Sequence, residues 1–455
     1  MEGRQDPFYY IPSIVELEKK IRKLSTLRLR DFIIAISSGA TPSVKEEEKF
    51  YSDELNGVPF IRVQNLSPTN ELMLNDLRYI NQETHQKYLN RSQIKGGDLL
   101  VKITGVGRMA VSSVVPEGFE GNTNQHLVVI KTKDYETSGI LATFLNTDIG
   151  EKLASRRATG GTRPALDYSA LKSIPIVFKP EIIEIVKKAV IAKRAKEAEA
   201  KSLLDGIDAY LLERLGIETP AAADTKKTFF ARASKLSGGR FDPFYHKAEF
   251  EKNTEAVKNG KYESKPLKQI VQRLIKGNLP KDEEKGGANK VVQINSISEN
   301  GHIDTTDLLT AKDIFTPEQK MLRDDILVVI TGATIGKIAI WEKDGEDYFL
   351  GGDIVKFQCL ENVNPYFIFA WLRSHNSQTE IKRNITGATN GHLSPNDVGN
   401  ILIPFPKPEI QEEIAAHIQS IRTRAKELER VAHGEVERAK REVERMILGE
   451  VSAGA

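Results

Sequence analysis

The sequence has little cysteine, no long apolar run and almost no net charge, and each shortage excludes something. Cys359 is the one cysteine among 455 residues, which excludes an internal disulfide and a thiolate metal site built by this chain alone. Such cysteine usage is typical of a reducing cytoplasm. No apolar run approaches the ~20 residues needed to span a membrane, and the polar stretch after Met1 lacks a signal-peptide pattern. We therefore expect a cytoplasmic protein without a membrane segment.

The sequence also lacks the residue patterns that mark catalytic, metal or nucleotide sites. The 65 basic and 63 acidic side chains nearly cancel, so a nucleic-acid binder with this balance must gather its positive charge locally. The eight histidines are scattered and none stands at zinc spacing. The stretch Gly332–Lys337 lacks the spacing of a phosphate loop and predicts a tight turn between strands. The sequence therefore predicts no catalytic residue and no metal site.

What the sequence does contain is a long internal repeat. Five landmarks recur in the same order at offsets of 227 to 236 residues, which no solenoid period explains and which indicates a duplicated domain. The matched segments are 3–10 with 239–246, 59–66 with 291–297, 97–111 with 324–340, 156–166 with 382–393, and 178–182 with 406–410.

Each half follows the same plan of strands, intervening helices and one long helix. Short β-branched runs separated by Gly, Asn, Asp and Pro predict strands and turns. A long helix then opens after Pro180 and again after Pro408. The second one has apolar residues at spacings of three and four from Ile410 to Met446. Helices over 181–215 and 409–448 would be ~52 and ~60 Å long, and so narrow a stripe favours another helix as partner.

These patterns predict a mixed α+β fold. Two similar α/β domains are joined by two long helices that form an antiparallel coiled coil, with an approximate two-fold relation between the halves. The predicted boundaries are 1–178 for the first domain, 179–235 for the first long helix and a linker, 236–406 for the second domain and 407–455 for the C-terminal helix.

Three segments carry a family resemblance: SSGATPSVKEEEKFYSDELNGVPFIRVQNL at 37–66, ITGATIGKIAI at 330–340 and TGATNGHLSPNDVGNILIPFPKPEIQEEI at 386–414. They resemble the specificity (S) subunits of type I restriction–modification enzymes, and with the weaker copies in the first half the resemblance covers nearly the whole chain. One departure is that TGVGRMAV in the first half is two residues shorter than TGATIGKIAI.

The resemblance implies two target recognition domains, each reading one half of a gapped, bipartite and asymmetric DNA site. It implies that the long helices set the gap and dock two modification (methyltransferase) subunits, which restriction subunits can join. S-adenosylmethionine would be bound by the modification subunits, and this chain would hold no cofactor and carry no catalysis of its own.

Candidate DNA contacts follow from the chemistry of base and phosphate recognition. Arginine can read guanine, asparagine and glutamine can read adenine, and cations neutralise phosphates. Each residue singly is more often loop scaffolding, so the group carries the hypothesis. The candidates are Gln64, Asn65, Lys102, Arg108, Asn122, Asn124, Gln125, Arg156, Arg157, Arg163, Gln293, Asn295, Lys337, Lys382, Arg383, Asn384, Asn390 and His392.

Three other functions remain open on the sequence. The chain could serve a type II enzyme of the gapped-site kind, act as a stand-alone DNA methyltransferase or nuclease, or be a protein scaffold with no DNA role. The DPFY segments at 6–9 and 242–245 resemble the D-P-P-Y loop of adenine methyltransferases but lack its second proline. We interpret them as packing at the start of each domain.

Overall fold

The computed structural model describes residues 7–218, 240–344, 347–387 and 391–450. The chain divides into two compact units, the first formed by 1–198 with 428–455 and the second by 199–427. Each unit combines helices with sheets, which confirms the predicted mixed fold. No helix within the described ranges carries an apolar stretch long enough to cross a bilayer.

The first half of the chain contains short helices and strands before one long helix. Its helices are α1 Pro12–Leu24, α2 Glu47–Phe50, α3 Tyr135–Asn146, α4 Asp148–Ser155, α5 Tyr168–Lys172 and α6 Glu181–Leu215. Its strands are β1 Ala35–Ser38, β2 Tyr51–Ser52, β3 Val58–Ile61, β4 Arg78–Ile80, β5 Gln93–Lys95, β6 Leu99–Lys102, β7 Ser112–Val114, β8 Glu120–Thr123 and β9 Leu127–Lys131.

The second half repeats this plan. Its helices are α7 Ala248–Lys258, α8 Pro365–Arg373, α9 His375–Asn384, α10 Pro395–Gly399 and α11 Pro408–Ile447. Its strands are β10 Ser264–Pro266, β11 Ile275–Lys276, β12 Lys285–Val292, β13 Leu309–Ala311, β14 Ile326–Val329, β15 Ile338–Ile340, β16 Tyr348–Leu350, β17 Ile354–Phe357 and β18 Leu402–Pro404.

The two units share one sheet topology. The antiparallel order β1-β9-β6-β7 in the first unit matches β11-β17-β14-β15 in the second. The second sheet of each unit holds a parallel pair, β3 with β8 and β12 with β16. The order β4-β3-β8 likewise matches β13-β12-β16. The sequence repeat is therefore a repeat of structure.

The central strands of each unit are buried on both faces, which explains their continuous apolar runs. In β14, Ile326 and Val328 belong to a core shared with α8, whereas Leu327 and Val329 pack in a second core with β12 and β16 residues. Successive strand side chains point to opposite faces. The sheet therefore separates two apolar layers, and β6 does the same in the first unit.

The long helices run antiparallel within each unit. In the first unit Lys196 of α6 pairs with Glu435 of α11 at 3.4 Å, and Val186 lies near Val443. In the second unit the ring of Tyr210 lies 4.1 Å from that of His417, and one turn further along α6 Arg214 pairs with Glu413. This confirms the predicted pairing and both helix lengths. The apolar stripe is not only a helix–helix seam, however, because Val443 belongs to the core of the first unit. The ends of the helices are therefore parts of the domain cores.

Glu380 of α9 is a carboxylic acid kept largely inside the second unit. Its Oε2 accepts the Leu402 N–H at 3.1 Å. Burial raises the pKa of Glu380 to about 7, against the opposing influence of that hydrogen bond and of the Arg383 and Lys258 charges. A carboxyl group with a raised folded pKa contributes stability at low pH that is lost as the pH rises from 4.5 toward about 7.

Replacing Glu380 with glutamine is expected to stabilise the second unit by roughly 1–3 kcal/mol at pH 8. Glutamine keeps the acceptor for Leu402 and removes the charge that must be buried above the folded pKa. The gain should shrink to nothing near the unfolded pKa of 4.5. Urea unfolding at pH 5 and pH 8 measures it, with the exposed Glu361→Gln as control. Equal effects of the two substitutions at pH 8 would contradict the prediction.

Candidate DNA interface

Five loops of the first unit meet at one edge of its sheets. They are 39–44 after β1, 62–66 after β3, 103–108 after β6, 124–126 after β8 and 159–165 after α4. Because β3 and β8 are parallel, the loops that follow them lie at the same edge. We call these five segments the loop edge of the first unit.

Hydrogen bonds tie the loops of this edge together. Thr104 Oγ1 lies 2.8 Å from His126 Nδ1, and Thr104 also forms a β-bridge with Ala165. The side chains of Thr41 and Gln125 are hydrogen-bonded to each other. The edge is thus a connected surface.

The second unit has the same arrangement. Its loop edge comprises 277–281, 293–297, 331–337, 351–353 and 386–392, with 388–390 outside the described residues. Thr331 bridges His392, as Thr104 bridges Ala165, and Asn278 bridges Gly351.

Paired Thr-Gly turns build both edges. Gly105 and Gly332 have φ of 111° and 82°, and Gly160 and Gly387 have φ of 100° and 96°. L-residues with a side chain rarely adopt this conformation. The glycines of 331–337 thus serve a turn between β14 and β15, as predicted. The repeated Thr-Gly dipeptides are the signal in the sequence for this edge, although its threonines were not among the predicted contacts.

Several predicted contacts are exposed where DNA could reach them. Gln64 and Asn295 occupy the same place in the two units, the middle of a short turn after β3 or β12. Both are exposed, as are Gln125 and Arg163. The structure thus brings these four side chains to the loop edges. Lys382 is exposed too, at the end of α9.

Other predicted amide readers are buried and hold the loops in shape. Asn122 donates to the Leu89 carbonyl at 2.7 Å and Asn65 to that of Met73 at 3.1 Å. Asn124 accepts the His126 N–H at 3.1 Å. Buried amides satisfied in this way hold the loops in place, and their hydrogen-bonding groups are already used within the protein.

Lys102 is also buried. Its Nζ donates to the Val106 carbonyl at 2.7 Å, and burial lowers the pKa of this lysine. The Lys102 ammonium group thus holds the loop 103–108 in place through this hydrogen bond.

Arg156 and Arg157 also lie inside the protein, where they converge on Glu18 of α1. Arg157 Nη2 lies 2.7 Å from Glu18 Oε1, Arg22 Nη2 lies 2.6 Å from the same oxygen, and Arg156 pairs with the other oxygen. Burial opposes ionisation, but the arginines outweigh it and lower the pKa of Glu18 to about 2. The predicted DNA-backbone contact would require both arginines to leave Glu18, so this placement argues for a structural role.

Arg156 and Arg383 play one role in the two units. Arg156 Nε donates to the Tyr9 carbonyl at 2.7 Å, and Arg383 Nε to that of Tyr245 at 3.0 Å. Each guanidinium carbon lies 4.2 Å from the centre of the same tyrosine's ring. The described part of each DPFY segment is thus held by an arginine, in keeping with packing at the start of each domain.

Two more predicted cations are engaged in ion pairs. Arg108 lies 2.8 Å from Asp148, which also pairs with Lys440 at 2.6 Å. Hydrogen bonds from Lys440 and Arg108 lower the pKa of Asp148 to about 2. Lys337 pairs with Glu299 at 2.7 Å.

The remaining predicted contacts are half-buried or undescribed. Asn384 donates to the Glu380 carbonyl at 2.9 Å, and His392 joins Thr386 by two backbone hydrogen bonds. Gln293 is half-buried at the start of its turn. Asn390 lies outside the described residues.

The described residues contain no group of three or more histidine, cysteine, aspartate or glutamate side chains that could hold a metal ion. The loop edges instead present exposed amide side chains, Gln64 and Gln125 in the first unit and Asn295 in the second, and the first unit adds the exposed guanidinium of Arg163. Such an arrangement defines a recognition surface.

The comparisons identify the class of recognition domain. Residues 259–438 match the family model of the type I restriction modification DNA specificity domain. Over these residues the resemblance drawn from the sequence is confirmed. Comparison with curated proteins gives no match.

Solved structures of similar chains span nearly the whole sequence. A chain from a type I restriction–modification assembly is 16% identical with a TM-score of 0.48, covering 93% of this chain and 96% of that one. The S subunit from M. genitalium is 12% identical with a TM-score of 0.39, covering 93% and 94%. The HsdS subunit from Thermoanaerobacter tengcongensis is 15% identical with a TM-score of 0.33, covering 93% and 95%.

Proposed function

We propose that this chain is the specificity subunit of a type I restriction–modification complex, in which each unit reads one half of a gapped, asymmetric DNA site. The observation that carries this proposal is the loop edge, which occurs once in each unit with different side chains at matching places. Gln64 corresponds to Asn295, and Ala165 corresponds to His392. Readers built alike but with different side chains read different half-sites.

The partners follow from the same proposal. Two modification subunits would dock on α6 and α11 and bring S-adenosylmethionine, so the methyl transfer would be theirs. This chain would hold no cofactor and would select the site without catalysis of its own. The two long helices would set the number of base pairs between the half-sites, because α6 and α11 each begin in one unit and end in the other.

Removing the exposed charge of Arg163 tests the DNA role of the loop edge. Arg163→Ala in the assembled complex is expected to weaken DNA binding and to reduce the slope of log affinity against log salt by about 1, as the loss of one phosphate contact does. Equilibrium binding to duplex DNA across a salt series measures both quantities.

Lys23→Ala is the matched control, because Lys23 is an exposed cation on α1, which contributes no residue to the loop edge. Its salt slope should equal that of the unmodified complex. Binding that depends on neither salt nor Arg163 would instead favour a scaffold without a DNA role.

A further inference from the structure

Arg422 of α11 is a buried cation with an unused hydrogen-bond donor. Its side chain is 8% exposed, and its guanidinium carbon lies 4.4 Å from the centre of the Phe369 ring. Nη1 donates to the Asn300 carbonyl at 3.1 Å. Nη2 is buried and has no hydrogen-bond partner among the described residues. A buried charged donor without a partner is costly, so this group calls for an acceptor.

More positive charge surrounds Arg422. The Arg373 guanidinium carbon lies 5.4 Å from the same Phe369 ring, and burial, then the charge of Arg422, lowers the pKa of Arg373 to about 10. Burial, then the charges of Arg422, Lys426 and Arg373, lowers the pKa of His302 to about 4. His302 is therefore neutral at pH 7, and neither Arg422 nor Arg373 forms an ion pair with another described residue.

The nearby carboxylates offset this excess only from exposed positions, Glu299 by favouring the charged form of Arg373 and Glu342 that of Arg422. Glu299 is directed to Lys337, at 2.7 Å, and its side chain is 83% exposed. Glu342 favours the charged form of Arg422 electrostatically, but it is an exposed residue.

The first unit shows what the second one lacks. Bridges Leu66↔Leu72 and Ile297↔Ile303 place Glu71 and His302 at matching positions of one loop. The residues just before them, Asn70 and Gly301, have φ of 71° and 73°.

The arginine partners of this loop match as well. Arg194 and Arg422 stand equally far from Pro180 and Pro408, the prolines before or at the start of the two long helices. In the first unit Arg194 Nη2 lies 2.8 Å from Glu71 Oε1. The first unit thus supplies its own carboxylate at the place where the second has a neutral histidine.

A second difference adds charge to the second unit. Asn146 at the end of α3 donates to the Ser112 carbonyl at 2.8 Å, and Arg373 at the end of α8 donates to the matching Ile338 carbonyl at 3.5 Å. Where the first unit has a neutral amide, the second has a guanidinium that also lines a cavity of about 300 Å³ beside 333–338.

We propose that Arg422, Arg373 and His302 form an oxyanion site that takes an aspartate or glutamate side chain of the modification subunit. The ligand would occupy the place that Glu71 fills in the first unit. Because Arg422 is only 8% exposed, a flexible carboxylate side chain fits this site better than a duplex phosphate, which is fixed to a stiff backbone. The identity of the partner rests on the proposed function, and the anion site itself does not.

The site is tested first on the chain alone, with acetate as the carboxylate probe. Acetate is titrated against the imidazole signal of His302 by NMR, with chloride holding the ionic strength constant. Arg422→Gln should weaken acetate binding by about tenfold or more, as expected for the loss of a charge-assisted hydrogen bond. The matched control Arg424→Gln should leave binding unchanged, because Arg424 is an exposed cation on the same helix, paired with Glu199.

A second variant supplies the missing carboxylate. His302→Glu should form an internal ion pair with Arg422, raise the midpoint of thermal unfolding and remove the effect of acetate on that midpoint. Equal acetate affinities of the Arg422→Gln and Arg424→Gln proteins would contradict the proposed anion site. So would an effect of acetate on the midpoint of thermal unfolding that persists in the His302→Glu protein.

The source of the carboxylate is tested by assembly with the modification subunit. His302→Glu should weaken assembly about tenfold and leave the salt slope of DNA binding unchanged. Normal assembly combined with a salt slope reduced by about 1 would show that the ligand is a DNA phosphate and would overturn the proposed partner. If the unmodified chain does not assemble with the modification subunit at all, the proposed function is wrong. The acetate titration still shows whether the anion site exists.

Discussion

Replacing Glu18 with glutamine is expected to unfold the first unit at much lower denaturant concentration than the unmodified chain requires. Glu18 is the buried carboxylate shared by Arg156, Arg157 and Arg22. Removing one charge from a buried ion cluster leaves the others uncompensated, which typically costs about 3–5 kcal/mol. Hydrogen exchange of α1 and α4 peptides through a urea series measures the loss, with α8 peptides reporting on the second unit.

Glu16→Gln is the control, because Glu16 lies on the same helix with a side chain that is 69% exposed and paired with Lys19. This substitution should change the free energy of unfolding by no more than about 0.5 kcal/mol, as most surface substitutions do. Equal losses from the two substitutions would show that the cluster does not hold α1 to α4.

The same carboxylate predicts part of the acid sensitivity of the first unit. Its folded pKa of about 2 lies below the unfolded value of 4.5, so its stabilising contribution is present above the unfolded pKa and lost as the pH falls through the folded pKa. As the pH falls from 4.5 to 2, the free energy of unfolding of the first unit should therefore decrease less in the Glu18→Gln protein than in the unmodified chain.

Inserting four residues into each long helix is expected to change the gap of the recognised DNA site by roughly one or two base pairs. Four residues add ~6 Å of helix, against ~3.4 Å per base pair, and they turn the helix only ~40° beyond one full turn. The insertions belong after residues 198 and 427, where the helices pass from one unit to the other. Selection of bound sequences from random DNA by the assembled complex measures gap and half-sites together.

The half-sites themselves should stay the same, because neither loop edge is altered. The control carries one insertion of the same four residues after Gly449, beyond the end of α11, and should select the original gap. An unchanged gap in the helix variant would refute the role of the helices as a ruler.

The two long helices follow from local pattern. The helix predicted over 181–215 has those bounds, and the one predicted over 409–448 runs from Pro408 to Ile447. Apolar periodicity and the preceding prolines determine these features, and both are visible in a short window of sequence.

The candidate site was predicted less well, because burial depends on tertiary packing. The run 122–126 suggested several base readers, yet Asn122 and Asn124 point inward and Gln125 points outward. Arg157 and Arg163 are similar as sequence features, but Glu18, which lies far away in the chain, draws Arg157 inside. The Arg422 cluster was missed for the same reason, since it forms only where a loop, α8 and α11 meet.

Mapping methylated bases in the DNA of cells that carry this chain and the proposed modification subunits tests the central claim most directly. Two units that share one topology but differ in the side chains of their loop edges should yield two unlike half-sites separated by a fixed gap, with methylation that disappears when this chain is removed. A single continuous palindromic site, or a methylation pattern that does not depend on this chain, would contradict the account.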